Sequence, residues 1–219
     1  MIKFENTEVM NFEGALRGMR NPLNSWDKSD SRYSQYDDYP WIDNNYYHIG
    51  SNDLDLAKRL INAGSDHRKF LRQIFVSVDI TAPLYWWKEF DTYKVGTVAN
   101  SCSTMHKIHA KEFELDDFSC ERLTSRSITT LIEVIKILNY YRDWYLESKD
   151  KTQWWQLIQL LPSSYNQRRT VTLNYEVLRA IRNSDRKNHK LDEWRVGFME
   201  WIDSLPYAED FLKSEEVKK

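Results

Sequence analysis

The stretch Asp66 to Lys111 concentrates the side chains that could do chemistry. It reads DHRKFLRQIFVSVDITAPLYWWKEFDTYKVGTVANSCSTMHKIHAK and holds His67, His106 and His109, Cys102, and a lysine behind a run of aromatics. His67 follows a helix stop, where an imidazole either hydrogen-bonds a cofactor or serves a turn. Tyr93 and Lys94 close an aromatic segment, and a lysine beside stacked rings suits a flat ligand that carries phosphate. Ser101 and Ser103 bracket Cys102. Hydroxyls in a loop bind phosphate as commonly as they cap helices, and no base stands near either in sequence to make a nucleophile. Cys102 could be a thiolate activated by Lys94 and His106, or simply a small packed side chain. His106 and His109 lie three apart, but no HExxH pattern or acidic partner supports a metal. Among six glycines there is no phosphate-cradling loop, and no GxSxG elbow occurs.

Those residues need elements to hold them. Gln73 to Ile80 alternates, with Ile74, Val76, Val78 and Ile80 on one side, which predicts a strand. Asn52 to Ala63 predicts a helix capped by Ser51 or Asn52, with Asp53 and Asp55 at its positive end and Leu54, Ala57, Leu60 and Ile61 on its apolar face. Thr81-Ala82-Pro83 predicts a second helix start, running to about Tyr93. Gly96 to Ser103 reads as a loop, and Met105 to Phe113 as a strand. Met1 to Phe4 is a short strand before a mixed segment. Ser125 to Glu147 has the clearest helical period; Lys151 to Leu161, stopped by Pro162, Thr172 to Asn183 and Leu191 to Ser204 complete the helices. Residues 21–50 form a long aromatic loop or lid over a single domain 1–213, and 214–219 is a charged tail. The expected fold class is α+β, a small antiparallel or mixed sheet with a helix-rich C-terminal half.

Bulk properties narrow the function. A length of 219 residues suits one domain. The net charge of −2 offers no footprint for nucleic acid. Two cysteines without metal or redox spacing point to a cytoplasmic protein with free thiols. The N-terminal residues lack the apolar core of a signal peptide, and no run is long enough to span a membrane. Aromatics at 14%, nine of them Trp, suit wide pockets or subunit contacts. The pairs Trp86-Trp87 and Trp154-Trp155 raise the further option of an oligomer whose aromatic surface serves assembly.

The order of these motifs resembles that of the flavin-dependent thymidylate synthases, the ThyX family. Gly64-Ser65-Asp66-His67 stands where that family has Gly-His-x-Ser, and the strand Gln73 to Ile80 follows at the expected distance. Ala82-Pro83 occupies the place of a Ser-Arg and Glu89 that of a Gln. Thr92-Tyr93-Lys94 takes the position of Arg-His-Arg. Ser103-Thr104-Met105-His106 stands for Ser-x-Arg-Tyr after one inserted residue. Leu161-Pro162, Thr170, Asn174, Arg186 and Glu193 then follow in the family's order, so the resemblance spans about residues 50 to 200.

The resemblance implies a homotetramer that binds FAD between subunits and methylates dUMP to dTMP with NADPH and methylenetetrahydrofolate. It implies that His67, Tyr93, Lys94 and Asn174 touch the flavin cofactor. It implies that Glu89, Ser101, Ser103 and Arg186 surround the nucleotide, with Arg186 best suited to its phosphate. Pro83, Thr92 and Met105 stand where the family carries arginines. Arg168, Arg169 and Arg182 are candidates to replace that charge. The alternative is a non-catalytic homologue on the same fold that binds another nucleotide, a nucleic acid or a protein.

Overall fold

The computed structural model describes residues 2–34 and 46–213. Part of the expected 21–50 lid and the charged tail from Ser214 therefore lie outside the described residues. The chain forms two compact units. One comprises Met1–Glu5, Asp79–Lys94 and Ala99–Val171; the other comprises Asn6–Val78, Val95–Val98 and Thr172–Lys219.

A four-stranded sheet is built from β1 (Lys3–Met10), β4 (Phe75–Pro83), β6 (Asn166–Asn174) and β5 (Val98–Ser101), side by side in that order. A separate antiparallel pair joins β2 (Arg32–Tyr33) to β3 (Tyr47–His48). The alternation read in β4 holds: Val76, Val78, Ile80 and Ala82 are fully buried, while Ser77, Asp79 and Thr81 between them keep partial exposure. The strand runs three residues further than expected, through Pro83, so Thr81 is a strand residue and not a helix cap. Helix α3 (Leu84–Phe90) begins after it, and its first N–H groups, from Leu84 and Tyr85, donate to the carbonyls of Tyr165 and Ser163 at 3.0 Å each. Backbone acceptors thus replace the side-chain cap that the sequence suggested.

Other expectations shift for physical reasons. Val98–Ser101, expected as loop, is the edge strand β5, and all four of its residues are exposed. With no buried face it carries no alternation to read. Met105 to Phe113, expected as a strand, forms turns instead. The Asn139 amide takes both backbone groups of Phe113, accepting its N–H at 2.8 Å and donating to its carbonyl at 2.9 Å. Ile108 and Phe113 sink into a core with Phe118, Leu131, Ile135 and Leu138. That core belongs to α4 (Ser125–Ser148) and α5 (Lys151–Leu160), both close to their expected bounds. The segment from Thr172 enters as the end of β6, with Val171 and Leu173 buried, and turns helical only at α6 (Tyr175–Arg182). The C-terminal helix begins as a π-helix over Glu193–Phe198 and continues as α7 (Met199–Asp203), before the short α8 (Ala208–Phe211). The mixed N-terminal segment resolves into β1 and α1 (Phe12–Arg20), which buries Phe12, Ala15, Leu16 and Met19 at helical spacing. Trp86 and Trp87 are fully buried, edge-on to each other with Trp86 stacked on Phe90, and so are core residues that no assembly surface can use.

Helix α2 (Ser51–Asn62) shows how far a local rule can be displaced. Its N-cap is Gly50, without a side-chain cap. Asp30, twenty-odd residues upstream, accepts the N–H groups of Asn52 and Asp53 at 2.9 and 3.1 Å. Asp53 itself, expected at the positive end of the helix, is fully buried. Its carboxylate accepts from Arg20 Nε at 2.5 Å, Ser29 Oγ at 2.7 Å and Ser31 Oγ at 2.6 Å. Burial alone would raise the Asp53 carboxyl; the hydroxyls of Ser31 and Ser29 and the Arg20 guanidinium outweigh it and hold the group below its ordinary value.

Removing one partner of a buried ion pair leaves the other charge stranded. Asp53→Ala is expected to cost about 3–5 kcal/mol in urea unfolding. Because the folded-state value is depressed, the stabilisation is complete above about pH 4 and fades as acid titrates Asp53 in the folded state. A urea midpoint that falls between pH 6 and pH 3 in the parent, and falls less in the variant, checks both statements.

Candidate functional site

In the first unit the chemistry gathers on the opening residues of β6. Trp87 Nε1 donates to the Gln167 carbonyl at 2.9 Å. Arg169 Nε donates to Gln167 Oε1 at 2.9 Å, its Nη1 reaches Asp91 at 2.7 Å, and its guanidinium lies 4.2 Å over the Trp87 ring. Gln167 Nε2 donates to the Cys102 carbonyl at 2.7 Å, and the Cys102 N–H donates to the Arg168 carbonyl at 2.9 Å. One continuous run of hydrogen bonds, Asp91–Arg169–Gln167–Cys102, therefore ties the end of α3 to the turn that follows β5. This run carries Glu89, Tyr93 and Lys94 on one side, and Ser101 and Ser103 on the other.

The side chains offered there differ in availability. Ser103 Oγ accepts N–H groups from Met105 at 3.2 Å and His106 at 2.8 Å. Its acceptor capacity is used while its own proton remains to be donated. Ser101 is exposed on the edge strand, and Lys94 is exposed just past α3. Glu89 is half-buried in α3, and Tyr93 packs near Phe90 at 6.3 Å between ring centres. Cys102 is an exposed free thiol.

In the second unit, His67 sits exposed in the turn after α2. The neighbouring Arg68 forms a two-pronged pair with Glu176 at 2.9 to 3.1 Å. Asn174 caps α6, with Oδ1 accepting from the Val177 N–H at 3.0 Å, which leaves its Nδ2 as a donor. Gly96 meets it with bare backbone. Its φ is +75°, and a Cβ there would stand 3.0 Å from Asn174 Nδ2 and 3.2 Å from Val177. On the next residue, Thr97 Oγ1 is buried without a hydrogen-bond partner. A glycine pressed against a donor, beside an orphaned hydroxyl, is a cradle for a polar ligand edge. Arg186 is half-buried, with its guanidinium 4.6 Å over the Trp194 ring.

The eight residues nominated by sequence thus divide into two sets. Glu89, Tyr93, Lys94, Ser101 and Ser103 belong to the first unit; His67, Asn174 and Arg186 belong to the second. The reading missed Gln167, Gly96 and Thr97. Gln167 had no signal, because its role is to join two loops distant in sequence. Gly96 had one: a glycine in a stretch otherwise suited to a strand marks close approach of backbone.

The arginines nominated to supply the charge missing at Pro83, Thr92 and Met105 are already engaged. Arg168 pairs with Asp79 at 2.7 Å and Glu5 at 3.6 Å. Arg169 holds Asp91, and Arg182 holds Asp203 through two contacts of 2.7 and 3.0 Å. Among the described residues no three His, Cys, Asp or Glu gather to hold a metal, and no helix is long and apolar enough to cross a membrane.

No family model and no curated protein matches this sequence. Solved structures do. A flavin-dependent thymidylate synthase ThyX from Helicobacter pylori, complexed with FAD and dUMP, aligns over 96% of this chain and 97% of its own, with a TM-score of 0.63 and 16% identity. A second ThyX structure from the same organism, with FAD and dUMP at 2.31 Å resolution, aligns over 100% and 99%, with a TM-score of 0.64 and 16% identity. The chain has the ThyX fold. The likeness runs through both units from end to end, although fewer than one residue in five is shared.

Gln167 is the joint most easily tested. Gln167→Ala strips the Cys102 carbonyl and the Arg169 guanidinium of a partner, a cost of about 1–3 kcal/mol. Hydrogen exchange at the amides of residues 102–106 is expected to quicken well beyond that of β4. Unchanged protection there would show that the turn is held by something else.

Proposed function

We propose that this protein is a flavin- and nucleotide-dependent enzyme of the thymidylate synthase type, reductively methylating dUMP to dTMP with FAD, NADPH and methylenetetrahydrofolate. The supporting observation is the likeness of its whole fold to two structures that hold FAD and dUMP. The local chemistry is compatible. In the second unit Asn174 Nδ2, the bare backbone at Gly96, the orphaned Thr97 hydroxyl and the exposed His67 imidazole offer edges for a flavin. In the first, Lys94 offers an ammonium for phosphate, with Tyr93 beside it, and Ser101 and Ser103 offer hydroxyl protons to the nucleotide, with Glu89 facing the same task. Arg186 would contribute a planar guanidinium to the nucleotide's phosphate.

A bound flavin supplies the redox chemistry, so the chain needs no nucleophile of its own. Its residues bind and orient. Lys94 and Arg186 balance negative charge, Ser103 donates one fixed hydrogen bond, and Asn174 holds a donor in place through its cap on α6. A homotetramer and a cytoplasmic setting belong to the same proposal. Ile137, Tyr140 and Trp144 lie exposed along one stripe of α4, an apolar surface that suits a second copy.

A second reading has its own observation. Arg168, Arg169 and Arg182 each answer a carboxylate, and Pro83, Thr92 and Met105 carry no charge. Each charge-assisted bond to a phosphate contributes about 1.5–3 kcal/mol, so losing two or three would weaken a nucleotide by orders of magnitude. On that reading the fold persists with a different ligand.

Thermal unfolding separates the two. FAD at a hundred times its dissociation constant adds about 2.7 kcal/mol, which for a chain of this size raises Tm by roughly 5–10 °C. The proposal expects that rise with FAD, a further rise with dUMP, and loss of the dUMP increment in Lys94→Ala. A rise with FAD and none with dUMP would favour the second reading; no rise with either would overturn the first.

A further inference from the structure

The second unit contains a cavity of about 630 Å³ that none of the eight nominated residues lines. That volume lies within the range of small-molecule sites. Its rings come from Phe12, Tyr33, Tyr46, Tyr47, Trp201 and Tyr207, and its polar contributions from Thr7, Asn11 and Ser204. Among the described residues no lysine, arginine, aspartate or glutamate lines it.

The walls are held before any ligand arrives. The Tyr207 hydroxyl accepts the Ile49 N–H at 2.8 Å and donates to the Tyr47 carbonyl at 3.0 Å, tying β3 to the segment before α8. Trp201 Nε1 donates to Thr7 Oγ1 at 3.1 Å, tying α7 to β1. Phe12 meets Tyr47 at 6.4 Å and Tyr207 at 5.6 Å between ring centres. Two lining residues, Asn11 and Tyr207, have φ of 70° and 55°. Asparagine tolerates that region, but a bulky tyrosine there is an outlier of the kind that collects at binding sites. Tyr33 and Tyr46, by contrast, remain 49% and 44% exposed at the mouth.

Polar valences remain on the walls. Thr7 Oγ1 accepts from Trp201 and keeps its proton. Ser204 Oγ donates to the Trp201 carbonyl and can still accept. Asn11 spends one amide hydrogen on the Gln73 carbonyl at 2.9 Å and retains the other. Ring faces with a donor and an acceptor among them match a flat ring that carries both on its edge. After burial, Asp53 and Glu13 raise the Tyr47 phenol and Asp210 acts in the same sense on Tyr207, while the cations beside two of them are already engaged, Arg20 with Asp53 and Lys58 with Asp210. A phosphate gains nothing there.

We infer that this cavity is a second ligand site, taking an uncharged heteroaromatic base or its nucleoside and disfavouring the phosphorylated form. Aromatic walls stack on the base, and Thr7, Asn11 and Ser204 read its edge. The preference is opposite to that of the nucleotide site proposed above, which requires phosphate. The two sites are therefore told apart by ligand charge, and failure of one leaves the other standing.

Calorimetric titration of the full chain with adenosine, uridine, AMP and UMP tests the assignment. At least one nucleoside is expected to bind saturably at one per chain, and its monophosphate to displace it at least about tenfold less well. Met10→Trp, at a lining position already 41% exposed, places a ring in the cavity mouth and should weaken the nucleoside by at least about tenfold. Should that variant fail to fold, Tyr33→Ala on the exposed strand β2 removes a wall instead and should weaken it in the same direction. No saturable binding of either nucleoside at millimolar concentration, displacement of the bound nucleoside by its monophosphate at equal or lower concentration, or unchanged binding in the folded wall variants would overturn it.

Discussion

The burial of one face of β4 is the constraint on which the rest of this structure depends. Val76, Val78, Ile80 and Ala82 are wholly removed from water, each worth on the order of 1–3 kcal/mol relative to exposure. A one-residue slip would exchange that face for Ser77, Asp79 and Thr81, so the register of the strand is not negotiable. With β4 set, β1 and β6 have fixed places beside it, and the polar face becomes available for cross-strand pairing. Asp79 uses it to accept from Arg168 and Thr170 of β6 at 2.7 and 2.5 Å. The strand therefore positions the opening of β6, where the candidate chemistry of the first unit is anchored.

From that anchor the arrangement proceeds by hydrogen bonds more than by packing. Gln167 is buried at 6% exposure and uses both ends of its amide, one on the Arg169 guanidinium and one on the Cys102 carbonyl. A buried amide with both ends satisfied fixes geometry more firmly than an apolar contact, because any shift leaves a polar group without a partner. The cost of the device is that Arg169 is committed to Asp91 and Trp87 and is not at hand for a ligand. The same economy governs the second unit, where Asp53 draws together α1, α2 and the segment of Ser29 and Ser31. Charged residues in this protein mostly serve each other. Arg168, Arg169 and Arg182, the candidates for the charge missing at Pro83, Thr92 and Met105, are among those so engaged.

Where periodicity was strong, sequence and structure agree. The face of β4, the long helix α4 and the stop of α5 before Pro162 were legible because a buried stripe repeats at a fixed interval. The edge strand β5 was not, since Val98, Ala99, Asn100 and Ser101 bury no face and show no repeat. Residues 105–113 misled because Ile108 and Phe113 are apolar for the sake of the α4–α5 core, with Asn139 taking the backbone bonds that a strand would have used. Helix α2 was placed correctly with the wrong cap: Asp30 acts from a distance that no local rule spans. His67, Asn174, Lys94 and Ser103 were nominated from motif order alone. Of the neighbours the fold gives them, Gly96 left a trace in its residue type, whereas Thr97 and Gln167 left none, because what they do depends on which segments the fold brings beside them.

The proposed synthesis of dTMP has to proceed on this end-to-end ThyX fold despite Pro83, Thr92 and Met105. Its most direct test is product formation. Purified protein would be incubated anaerobically with dUMP, methylenetetrahydrofolate, NADPH and FAD, and the nucleotides resolved by mass spectrometry. dTMP, in which a methyl group replaces a ring hydrogen of dUMP, is expected to form over many turnovers and to be absent when FAD is withheld. Recovery of dUMP unchanged from protein that has bound FAD would contradict it, and would leave the fold in place with another substrate.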